Sequence, residues 1–146
     1  DSNNTEVIKE MNKFLKGIHM GGSTFKDYIE RAESKELKDS LVEVTETFKR
    51  HEEAITHRIE QLGGDANDSL GVIGMMSEFF QKIKLLSANS DKEILDNAIE
   101  AMKMGMNNAN KFIDEHSNLE SSLKSDVEGV VKDYDNSLRK LESISL

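Results

Sequence analysis

The sequence has no cysteine, no proline and no tryptophan, and its aromatic residues are only two tyrosines and six phenylalanines. Without cysteine there is no disulfide framework, no thiolate-held zinc or iron–sulfur centre, and no thiol nucleophile. Neither a β-branched run nor an alternating apolar–polar stretch is present to recruit strands, so helix is the expectation almost throughout. No apolar run approaches the ~20 residues of a membrane span. Gly71 and Gly74 are too close for a phosphate loop and lack its Lys-Ser/Thr ending. No serine sits in a nucleophile elbow. No signal peptide is visible, and a start at Asp1 is consistent with a trimmed or processed terminus; the expected compartment is the cytoplasm.

Positive charge is also short. Nineteen Lys plus Arg stand against 28 Asp plus Glu, a net charge of −9. With its charges interspersed, such a chain is poorly suited to nucleic acid or to an anionic membrane.

What is present is helical periodicity. Across residues 36–64, Leu37, Leu41, Val44, Phe48, Ile55, Ile59 and Leu62 fall in steps of three, four and seven, one stripe of a long helix. His51 keeps the same spacing and is the titratable residue of that stripe. Gly63 and Gly64 close the helix, because glycine adopts the left-handed conformation of a C-terminus. Before it, Met11, Phe14/Leu15, Ile18, Gly22, Phe25, Ile29 and Ala32 keep one helical phase through the Gly21-Gly22 pair. This predicts a single helix with Gly22 on its buried stripe. Glu33-Ser34-Lys35 is a tight turn, with Ser34 as the next N-cap. Leu70 to Leu86 form a shorter stripe. Ser90 and Glu93 read as a capping box, opening a helix with Leu95, Ala98, Met102, Gly105/Met106, Ala109 and Phe112 on one face. A last stripe holds Leu123, Val127, Val130, Tyr134, Leu138 and Leu141.

Helices are therefore expected near 5–33, 35–62, 70–87, 91–116 and 119–143, in one domain over 1–146 with a polar lead-in at 1–4. Two tight hairpins joined by a long connection make the third long helix run parallel to the second. The fold class is all-α, a ferritin-like four-helix bundle with a long crossover containing a short extra helix.

The stretches IEQLGGD at 59–65, after a helix carrying Arg50 and His51, and KEILDNAIEA at 92–101 resemble an uncharacterised bacterial family. That family is described as a ferritin-like four-helix bundle of unknown function, and the resemblance spans roughly residues 5–145. The chain departs from it at Asp65-Ala66-Asn67, where a proline often follows the glycines, and at Gly105-Met106, where Gly-Glu is usual. The resemblance implies the fold and no particular chemistry.

A ferritin-like di-iron centre needs an inward Glu from two helices and Glu-x-x-His from two others. Three residues before His19, His51, His57 and His116 stand Lys16, Phe48, Ala54 and Ile113, so the motif is missing. The last helix has no histidine. The expectation is no catalytic residue, no cofactor and no metal site, with His51 and Glu52 as the nearest thing to ligands. Glu53 and His57, spaced i, i+4, read as a solvated pair. Lys16-Gly17-Ile18-His19 holds the residue types of a phosphotransfer histidine in another order. Met20 and Met104 are expected to face outward as a protein contact, and Tyr28 and Tyr134 to sit at bundle edges with wet hydroxyls. These readings favour a non-enzymatic structural or protein-interaction module that self-associates. The alternative is a metal-binding oxidoreductase or iron-handling protein with an irregular site near His51.

Overall fold

The computed structural model describes residues 2–66, 90–116 and 119–146, with side chains from Thr5 onward. Four helices make up nearly all of these residues: α1 (Ser2–Arg31), α2 (Lys35–Gln61), α3 (Asp91–Glu115) and α4 (Ser121–Glu142). No strand occurs among the described residues. The short helix expected near 70–87 lies outside them. No described helix is long and apolar enough to cross a membrane.

The helix ends follow from their residues. Ser34 Oγ accepts from the Leu37 amide at 3.3 Å and so caps α2. At the other end, the Gly64 amide bonds Ile59 O and the Gly63 amide bonds Glu60 O, with Gly63 at φ +87°. These are the two bonds of a Schellman closure, which needs a residue free to take positive φ. Ser90 Oγ accepts from the Glu93 amide and donates to the Glu93 carboxylate, starting α3. α1 begins at Ser2 and runs through both glycines, since nothing in its N-terminal residues breaks a helix.

α1 packs on α2 and α3, and α4 packs on the same two helices. Asp91, the first residue of α3, accepts from the backbone amides of Glu33 and Ser34 at 2.8 and 2.7 Å. α3 therefore starts beside the α1–α2 turn, running antiparallel to α1 and parallel to α2. Arg58 with Asp126 and Glu43 with Lys140 fix α4 antiparallel to α2. Parallel second and third long helices are the arrangement that the hairpin–crossover–hairpin pattern predicts.

The α2 stripe is buried from Leu37 to Ile59, and the whole α4 stripe is buried with it. On α1 the stripe is buried as expected at Met11, Leu15, Ile18, Phe25 and Ala32, and shifts by one residue at two positions, to Gly21 from Gly22 and to Tyr28 from Ile29. The inward series is Ile18, Gly21, Phe25, Tyr28 and Ala32, so Gly21 is the buried glycine and Gly22 is half-buried. The reason is contact with α2: a Cβ on Gly21 would stand 3.2 Å from Phe48 Cζ, whereas one on Gly22 would meet nothing within 4 Å.

Candidate functional site

The middle of the bundle, where a ferritin-like centre would sit, is occupied by rings. Phe48 meets Phe25 edge-on at 5.2 Å between centroids, and Tyr134 edge-on at 5.3 Å. The His51 ring meets Tyr134 at 6.0 Å, nearly perpendicular. Such edge-to-face pairs set a positive ring edge against a negative face and fill volume that ligands would need. Tyr134 fits because Gly105 has no side chain: a Cβ there would lie 2.9 Å from Tyr134 Cε2.

The polar candidates reach separate partners. His51 Nε2 reaches Asp133 Oδ2 on α4 at 2.9 Å. Glu52 Oε2 reaches His19 Nδ1 on α1 at 3.1 Å. Adjacent on α2, His51 and Glu52 thus point to different neighbours and do not converge. His57 is exposed, and His116 Nδ1 lies 2.8 Å from Phe112 O, which occupies that nitrogen. Among the described residues, no group of three or more His, Asp or Glu could hold a metal ion. The donors among the described residues do not fit a pair of irons or manganese ions, which require several carboxylates and imidazoles at one point.

The His51–Asp133 contact is the middle rung of a ladder. Glu43–Lys140, His51–Asp133 and Arg58–Asp126 follow one another along the α2/α4 seam, with the α4 members seven residues apart. Seven residues are nearly two helical turns, which returns each partner to the same seam. Burial is the main influence on His51 and lowers its pKa below 6.5; Asp133 partly restores it, and Arg50 opposes. In the same seam Arg58 Nη1 also donates a hydrogen bond to the Ser122 hydroxyl at 3.4 Å.

Three expectations are corrected by burial. Tyr28 and Tyr134 are core residues, 1% and 3% exposed, and Met20 is buried as well. Tyr28 faces inward because the buried α1 stripe passes through it instead of Ile29; Tyr134 stands on the expected α4 stripe, and Gly105 leaves room for its ring within the bundle. Burial pushes the Tyr28 hydroxyl up to about 12, with Arg31 and Asn97 pulling back; its oxygen is sealed without a well-directed hydrogen-bond partner. Met104 is only half-exposed. A cleft of about 400 Å³ between α1 and α3 was not legible in the sequence. Its signal was the set Gly17, Gly21, Ala101 and Gly105, small residues on two facing stripes.

Comparison with solved structures gives the architecture its relatives. A dodecameric thioferritin from Bacteroides fragilis, a bacterioferritin-related protein, superposes with a TM-score of 0.79 at 11% identity, over 95% of this chain and 83% of that one. YcfI from Rhodopseudomonas palustris superposes with a TM-score of 0.75 at 13% identity, over 98% and 95% of the two chains. Likeness at such low identity speaks for the fold alone, and that fold is ferritin-like. No curated protein matches the sequence. The model of one family, a domain of unknown function designated DUF2383, matches residues 6–115, most of the chain, and the protein belongs to that family.

Proposed function

We propose that this protein is a non-enzymatic helical bundle, a structural or partner-binding module that self-associates and carries no di-iron pair. The observation that carries the reading is the aromatic column of Phe25, Phe48 and Tyr134 through the bundle centre. An interior built this way is a packed core, worth most as a rigid support for a surface. Self-association draws support from the dodecameric state of the thioferritin with the same fold. Among the described residues, the large hydrophobics that stand exposed are Val42 and Leu146. Copies that meet through described faces therefore meet through polar side chains, and their association is salt-dependent.

Light scattering after size exclusion, at low and high salt, tests the association; iron titration followed by near-UV absorbance tests the interior. The reading expects a salt-sensitive mass above that of one chain and no saturable iron-dependent band. A monomer at every salt concentration removes the self-association, and a saturating band would favour the oxidoreductase alternative around His51.

A further inference from the structure

The cleft between α1 and α3 has no part in the ladder or in the surface reading, and three of its features are independent. The first is space. Gly17 and Gly21 on one helix face Ala101 and Gly105 on the other, leaving about 400 Å³, within the roughly 300–1,000 Å³ typical of small-molecule sites. A Cβ placed on Gly17 would meet nothing within 4 Å. Phe14 and Met102 give the cleft an apolar lining.

The second is a hydroxyl with no partner in the protein. Tyr134 is 3% exposed, burial is the sole influence raising its pKa, and no side chain hydrogen-bonds its oxygen. Unlike that of Tyr28, this oxygen is not sealed off, and the side chain lines the cleft. A hydroxyl that faces a cleft without a protein partner is free to hydrogen-bond an oxygen atom brought in by a ligand in place of water.

The third is charge. At the rim, Lys13 is held by Glu10 at 3.3 Å and Lys111 by Glu115 at 3.9 Å. Lys16 also lines the cleft and has no ion pair among the described residues. On a chain of net charge −9, the cleft mouth thus keeps one uncompensated positive charge, the complement of a single acid group.

We propose that the α1/α3 cleft binds an apolar carboxylate with an oxygen substituent at its buried end, the acid at Lys16 and the substituent at the Tyr134 hydroxyl. Titration calorimetry on the full chain tests this with two probes, a hydroxynaphthoate and ω-hydroxydodecanoate, which distinguish a fused-ring body from an alkyl one. Saturable binding of either acid is expected, with its methyl ester weaker by roughly tenfold. Lys16→Gln should weaken the acid by a similar factor and leave the ester unchanged. Tyr134→Phe, which removes a hydroxyl that has no protein partner, should abolish the preference for hydroxylated over unsubstituted acid. Gly17→Phe adds its ring in open space, so the variant should fold by circular dichroism while losing binding. The proposal is overturned if neither acid binds saturably, if esters bind as well as acids, or if folded Gly17→Phe binds like the parent. A parent that binds no acid, with a Gly17→Phe variant of altered oligomeric mass, would also overturn it and make the cleft a contact between copies.

Discussion

Nε2 of His51 stands 2.9 Å from Oδ2 of Asp133 across the α2/α4 seam, yet the oxygen lies off the ring N–H direction, leaving that nitrogen without a directed hydrogen bond. Burial therefore dominates the ionisation of His51, and its folded-state pKa lies below 6.5. A depressed base binds its proton later in the folded state than in the unfolded chain. Stability is then full above the unfolded value of 6.5 and falls as pH drops from there toward the folded-state pKa. Melting temperatures of the parent and His51→Gln should run in parallel above neutrality, with the parent losing ground below about pH 6.5. A parent that gained on the variant in acid would mean that Asp133 outweighs burial.

His51→Leu should fold with stability unchanged or raised by up to ~1 kcal/mol at neutral pH, because a polar edge group leaves an apolar stripe. Asp133, 39% exposed, retains water as a partner. Chemical denaturation measures this, and a loss above ~2 kcal/mol would show that the pair is a structural necessity.

Glycines of the α1/α3 pair should respond in opposite directions. Gly105→Ala presses a methyl group against a Tyr134 ring already held by Phe48 and His51. Overpacking costs about 1–3 kcal/mol and exceeds the helix-propensity gain of about 1. Gly17→Ala and Gly22→Ala meet nothing within 4 Å and should each stabilise by about 0.5–1 kcal/mol.

Core truncations follow burial. Phe48→Ala should cost about 3–5 kcal/mol and Leu41→Ala about 2–5, through lost contacts plus a cavity. Exposed Glu53→Ala should stay within about 0.5 kcal/mol. Equal small effects at all three positions would contradict the packing described.

Asp91→Ala should cost about 1–3 kcal/mol, since the carboxylate accepts from two backbone amides of the α1–α2 turn and charge-assisted bonds are the stronger kind. Its effect should be larger than that of Asp96→Ala, one turn on at an exposed position. Urea midpoints of the two variants decide it.

The four long helices and their directions were legible because stripes, Ser34, Ser90 and Gly63 are local signals, each acting within a turn of where it stands. Contacts made between helices were not. Nothing near Asp91 says that its carboxylate will close the α1–α2 turn, and nothing near Tyr134 says that Gly105 will make room for its ring. Tyr28 was misplaced for a related reason: Phe25 and Ile29 suffice to define a stripe, and which of two adjacent phases is buried depends on what α2 presents. Of the candidate donors, the sequence identified His51 and Glu52 correctly as neighbours on α2. Their separation toward Asp133 and His19 needed the other helices.

Elemental analysis of chelator-free protein, loaded anaerobically with ferrous iron and then desalted, tests most directly the proposal that the interior is a packed core and not a metal centre. The account predicts iron well below one per chain, the same in the parent and in His51→Leu, because no point in the described interior gathers enough hard donors. About two irons per chain in the parent, as a di-iron centre would hold, with that iron lost in His51→Leu, would contradict it.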